Sequence, residues 1–216
     1  MLVSAGDDEI PVEGKEETTT RVLEAISCVL ERLVTRNDRV LSSPDPVRNS
    51  GKGLSVFQGV RAPSISISKY LERIFKFTSC SPSCFVVGYI YMDRLVHRHP
   101  DSLVGSLNVH RLVLTSVMVA SKVLDDEHYN NAFYARVGGI SNSELNRLEL
   151  ELLFLLDFSV VVSSRVFESY CLHLEKEMKW NGINQRIDWN MSNSTGEETE
   201  ISVGDTIQSS SPNAND

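Results

Sequence analysis

Three observations on the 216-residue sequence predict an all-α fold. The stretch His110–His128, HRLVLTSVMVASKVLDDEH, is apolar on nearly every side of a helical wheel through Leu112, Val113, Leu114, Val117, Met118, Val119, Ala120, Val123 and Leu124. A helix of that kind normally forms the buried centre of a bundle. Around it, apolar residues recur at helical spacing in several further segments. Strand-type alternation is missing, and Phe158–Val162 is the one short β-like run.

Taken in order, residues 1–17 are acidic, unpatterned and expected to be disordered. A leading amphipathic helix is predicted over 18–36, where Val22, Ile26, Val29, Leu30, Leu33 and Val34 share one side and one of Thr18–Thr20 supplies the cap. Residues 37–56 read as a linker, because SSPDP and NSGKG break any helix. Ile67, Tyr70, Leu71, Ile74, Phe75 and Phe77 define the next helix, ending at Thr78. Ser81-Pro82-Ser83 supplies a cap and a first-turn proline for a nearly all-apolar helix that runs to about His97 and carries one acid, Asp93. The central stretch follows, and then a short helix over Asn130–Val137 stopped by Gly138-Gly139. Ser141 and Glu144, in capping-box spacing, open a helix through Asp157 with Leu145, Leu148, Leu152, Leu155 and Leu156 on one side. A trailing helix capped by Ser163 or Ser164 ends near Lys179, and the acidic tail 181–216 is expected to be disordered. The body is therefore five helices with one leading and one trailing helix.

Composition narrows the function classes. Of the net charge of −8, residues 1–17 hold −5 and residues 187–216 hold −6, which leaves +3 for the body. That offers no basic footprint for nucleic acid and no polybasic patch for a membrane surface. The central stretch is too short for a membrane span. The N-terminus has neither a basic n-region nor an apolar h-region, so a nuclear or cytoplasmic location is the expectation. Cys28, Cys80, Cys84 and Cys171 form no disulfide framework and read as buried free thiols.

Catalytic chemistry finds little support. A metal-dependent phosphohydrolase would need convergent His and Asp ligands, and His99-Pro100 falls where a helix breaks. Zinc through Cys80, Cys84, His97 and His99 lacks the required ligand spacing. No phosphate-cradling glycine loop or nucleophile elbow is present, and neither a cofactor nor a metal is expected. What survives is Asp93 in an apolar helix, Lys122 at the exit of the central helix, and Glu149 among leucines.

The order Tyr89-Ile-Tyr-Met-Asp93-Arg94, then Val119-Ala-Ser-Lys122-Val-Leu-Asp125-Asp126, then Leu148-Glu149 with Phe154-Leu-Leu-Asp-Phe158, resembles the cyclin box. The segments Tyr134–Ile140 and 143–149 look like plant P-type (U-type) cyclins, which are related to phosphate-signalling cyclins of fungi. The resemblance covers about residues 57–178. It implies a single five-helix box, no enzymatic activity, and a heterodimer with a cyclin-dependent protein kinase in which Lys122 and Glu149 form the kinase-facing pair. It also implies that Asp93 is a structural carboxylate. The arginine that pairs with such an acid is replaced here by Ser64, with Arg61 as the substitute, and the aromatic of the substrate-docking patch falls on Tyr70. The rival readings are a cyclin-fold protein-interaction scaffold without kinase activation, and the metal phosphohydrolase.

Overall fold

The structure, a computed structural model, describes residues 12–42 and 53–180. The described residues form seven α-helices and one short 3-10 turn, with no strand among them. The helices are α1 Val12–Leu41, α2 Ile67–Thr78, α3 Pro82–Arg98, α4 Val109–Leu124, α5 Asn131–Gly138, α6 Asn142–Leu155 and α7 Ser164–Trp180. The expected disorder of the C-terminal tail lies outside the described residues.

The central stretch is α4, and every side chain from Leu112 to Ser121 is buried. It packs most extensively on α3, and also on α2, α5 and α6. The tight α3–α4 crossing depends on Gly88, where an added Cβ would lie 3.1 Å from Val117 Cγ2 and 3.2 Å from Val117 N. The small polar residues of α4 satisfy themselves locally: Thr115 donates to Arg111 O at 2.7 Å and Ser121 to Met118 O at 3.1 Å.

Part of the predicted punctuation holds: Ser141 caps α6 and Gly139 ends α5, whereas Thr18–Thr20, the expected cap of the leading helix, lie inside α1. Ser66 accepts from Lys69 N, Asn130 from Phe133 N and Ser141 from Glu144 N, so three side chains cap α2, α5 and α6. Gly139 ends α5 at φ +73°, a left-handed conformation that glycine adopts without a Cβ penalty. Two further caps differ from expectation. Glu144 does not complete a capping box but turns its carboxylate to Arg111 Nε at 2.7 Å, tying α6 to α4. Ser81 precedes α3 without a side-chain cap, and its hydroxyl instead meets the Cys84 sulfur at 3.3 Å.

The leading helix is longer than its apolar pattern indicates, running beyond 18–36 at both ends into the stretches read as disordered and as linker. Tertiary contacts supply the reason at its C-terminal end. Asn37 donates to Val104 O at 2.8 Å, and Asp38 Oδ1 accepts from Ser106 N at 3.0 Å. Val22, Leu23, Ile26 and Leu30 are buried as α1 packs on α2, α3 and α7. Its apolar stripe therefore belongs to the body. Leu54 of the predicted linker and Phe57 just beyond it are also buried, the latter completely.

Candidate partner-binding face

Lys122 leaves the last turn of α4, and Glu149 sits in the middle of α6, 27 positions along the chain. The packing of α4 on α6 brings Lys122 Nζ within 2.5 Å of Glu149 Oε1. Both side chains are partly withdrawn from water, at 28% and 18% exposure. The second carboxylate oxygen of Glu149 accepts from Asn131 Nδ2 at 2.6 Å, and that amide also reaches Asn146 Oδ1 at 2.8 Å. Three helices thus hold one partly buried ion pair in a single geometry.

The surroundings of the pair are apolar and aromatic. Val123 and Leu124, beside Lys122, remain half exposed, as does Tyr129 of the following loop. Tyr129 stacks on Phe133 with ring centroids 3.9 Å apart, and the Arg136 guanidinium lies 5.6 Å from the Phe133 centroid on the same short helix. On α6, Leu150 and Phe154 stand one turn apart at 56% and 65% exposure. Phe154 meets Phe158 edge-on at 5.3 Å.

The backbone at Phe158 is strained. Asp157 and Phe158 both take positive φ, 52° and 54°, which costs a bulky residue of order 1–2 kcal/mol. Three side chains of α3 hold the segment in place. Tyr91 donates to Val160 O at 2.6 Å, Arg94 to Ser159 O at 2.8 Å, and Arg98 to Leu156 O at 2.7 Å. These bonds keep an exposed aromatic where unrestrained chain would not leave it.

The remaining sequence-predicted residues fall elsewhere. Asp93 is no isolated buried carboxylate, since its side chain is 30% exposed and has two partners. It accepts from Tyr170 Oη at 2.6 Å, fastening α7 to α3, and lies 3.2 Å from His97 Nδ1. The hydrogen bond from the imidazole to the Asp93 carbonyl, with the carboxylate beside it, raises the His97 pKa. Burial first, and then the bond to Asp93, push the Tyr170 hydroxyl well above its ordinary range. Arg61, the expected substitute partner, is exposed in the loop before α2, and the ion partner of Asp93 is His97 instead. Tyr70 is buried at 6% exposure, donates to Gly138 O at 3.1 Å and packs edge-on against His110. Such a ring is core and offers no docking surface.

The zinc reading fails on distance. Cys84 and His97 are at opposite ends of α3, thirteen residues or about 20 Å of helix apart. Of the acids after Lys122, Asp125 turns inward to accept from Ser81 N at 3.2 Å. Among the described residues no group of three or more His, Cys, Asp or Glu side chains is placed to hold a metal. No helix there is long and apolar enough to cross a membrane.

Comparison with known proteins agrees with this architecture. A family model described as Cyclin matches residues 20–160. The chain is 64% identical to Cyclin-U1-1 of Arabidopsis thaliana over 84% of this chain and 87% of the relative. It is 50% identical to Cyclin-U4-1 of the same plant over 74% of this chain and 77% of the relative. Cyclin-P1-1 of Oryza sativa subsp. japonica is 49% identical over 74% of this chain, which spans 63% of the rice protein. With its all-helical box, its ordered sequence motifs and a family match covering more than half its length, the chain belongs to the cyclin family, alongside plant U- and P-type cyclins.

Proposed function

We propose that this protein is a non-catalytic regulatory subunit that binds a cyclin-dependent protein kinase as a heterodimer and favours the kinase's active state. One observation carries the reading: the Lys122–Glu149 pair, preformed across α4 and α6 and set in a face of exposed apolar and aromatic side chains. Such a face suits a partner that buries its rim and desolvates its centre.

The mechanism is a population shift. A kinase whose regulatory αC helix has swung out lacks the Lys–Glu ion pair and the ordered activation loop of the active state. A rigid bundle that binds only the αC-in state moves the equilibrium by its differential affinity for the two states. Lys122 has two further N–H donors beyond the bond to Glu149, and Glu149 has lone pairs beyond those used by Lys122 and Asn131. Both residues therefore have capacity for backbone groups of a partner. The same reading puts the protein in the nucleus or cytoplasm, where it needs no membrane or nucleic acid.

The test separates folding from binding. Lys122→Glu is expected to abolish co-purification of the kinase, since truncating a desolvated interfacial charge costs on the order of 2–5 kcal/mol. Lys122→Glu combined with Glu149→Lys rebuilds the internal pair with reversed polarity. That double variant is expected to regain the parental melting temperature but not the partner. Kinase capture by the double variant at parental strength would remove the pair from the interface. Capture by the parent without any rise in kinase activity would favour the scaffold reading.

A further inference from the structure

The C-terminal turns of α3 carry a cationic cluster outside the face proposed for the kinase. Arg94, His97 and Arg98 stand at i, i+3 and i+4, so they share one side of the helix. With Ser159 and Val161 of the segment before α7 they line an open surface cleft of about 390 Å³. Backbone carbonyls anchor both guanidiniums. Arg94 Nη1 donates to Ser159 O at 2.8 Å and to Val161 O at 3.2 Å, and Arg98 Nη1 donates to Leu156 O at 2.7 Å. Arg98 Nη2 reaches Ser159 Oγ at 3.3 Å, which leaves the hydrogen of that hydroxyl for another acceptor.

All of these partners are neutral, so two full positive charges stay uncompensated. Among the described residues neither guanidinium forms an ion pair. The Asp93 carboxylate is taken by Tyr170 and His97, and Asp101 and Asp157 are exposed and pair with neither arginine. The negative end of the α3 dipole, equivalent to about half an elementary charge, is too small to cancel the pair. Anchoring also leaves donors to spare. Nε of both arginines and Nη2 of Arg94 make no bond among the described residues, and each guanidinium carries several N–H groups beyond those the carbonyls use.

We propose that this cleft binds a phosphomonoester carried on a phosphoserine or phosphothreonine peptide, with Arg94 and Arg98 gripping the phosphate and Ser159 Oγ donating a further bond. A phosphate dianion offers three terminal oxygens to the two planar forks, where a carboxylate offers two oxygens and one charge. The carbonyl anchors hold the arginines in place beforehand, so less side-chain freedom is lost on binding. Two arginines without a basic stripe suit one phosphate rather than a nucleic-acid backbone. Val161, 79% exposed at the rim, gives a residue beside the phosphorylated one an apolar contact that free phosphate cannot make. The inference needs only the folded chain and stands apart from the kinase reading.

The test titrates the full ¹⁵N-labelled chain with a short peptide holding phosphoserine between two leucines, and follows the arginine Nε–H signals by NMR. The Arg94 and Arg98 signals are expected to shift saturably with this peptide and to stay put with its unphosphorylated counterpart. Inorganic phosphate should bind on the order of 10-fold more weakly than the phosphopeptide, because it lacks the apolar contact. Arg98→Gln should weaken the phosphopeptide on the order of 10-fold or more, since a charge-assisted bond is lost. Arg98→Lys, which keeps the charge and loses the fork, should fall between the two. Unmoved Arg94 and Arg98 signals in the parental chain would overturn the proposal. So would equal affinity for inorganic phosphate, which would reduce the cleft to an open patch for small anions. Both of these readings use the parental protein alone, so they decide the matter even if an Arg98 variant loosens the 156–161 segment.

Discussion

His110 shows how one side chain sets a pH dependence. Its Nε2 bonds Ile65 O at 2.9 Å, while its buried Nδ1 has no hydrogen-bond partner among the described residues. The groups facing it are the Tyr70 ring and Arg111, neither of which accepts a proton. A second proton would lie buried and unpaired, and burial accordingly lowers the His110 pKa. The unfolded chain, whose histidine titrates near 6.5, then binds more protons than the native one between the lowered pKa and about 6.5. Stability is therefore fully present above about pH 6.5 and is lost as pH falls, with a slope of up to about 1.4 kcal/mol per pH unit. His97 works in the opposite sense because its pKa is raised, but it is fully exposed and its effect is screened. Melting curves between pH 7.5 and 5.5 should show this loss, and His110→Gln should flatten it. A parental slope in the variant would assign the acid sensitivity elsewhere.

Among the elements, the contact between α3 and α4 decides the most. Helix propensity favours alanine over glycine at position 88 by about 1 kcal/mol, because glycine loses more backbone entropy. Packing opposes this, since the new Cβ would press on both the side chain and the backbone nitrogen of Val117 at 3.1 and 3.2 Å. Overpacking of a close helix crossing costs about 1–3 kcal/mol, and backbone does not give way as a side-chain tip would. The steric effect outweighs the propensity gain, so Gly88→Ala is expected to destabilise by up to about 2 kcal/mol in denaturant unfolding. An unchanged or raised midpoint would show that the two helices can separate without cost. The same crossing positions α4 against α6, and so aligns Lys122 with Glu149.

At the scale of the whole molecule, α1 and α7 are parts of one cooperative body rather than appendages. They pack on each other and on α3, with Arg32 of α1 paired to Glu177 of α7 and Tyr170 of α7 bonded to Asp93 of α3. Their buried side chains, Val22, Ile26 and Leu30 from α1 and Cys171, Leu174 and Met178 from α7, join the same core as α4. Hydrogen exchange should accordingly protect the amides of 22–34 to the same free energy as those of α4, through global opening. Earlier exchange in α1, at a distinctly lower free energy, would mark it as an independently opening unit.

Much of this fold was legible in the sequence because periodicity and punctuation are local. The all-apolar wheel of 112–120, the cap at Ser141 and the stop at Gly139 act within a few residues of themselves. Where expectation and structure part, a distant group has intervened. Asn37 and Asp38 remain helical because the 104–106 backbone meets them, Glu144 leaves its capping box for Arg111, and Tyr70 faces inward to Gly138. The partner face was legible only in pieces. Lys122 and Glu149 each stood out in the sequence, but their pairing depends on how α4 lies on α6, and no spacing along the chain encodes that distance. The sequence by itself determined which segments are helices and which faces are apolar, because those preferences reside in neighbouring residues. Only the tertiary structure decided which charges, hydroxyls and thiols meet, because packing between helices sets the separations on which hydrogen bonds and ion pairs depend.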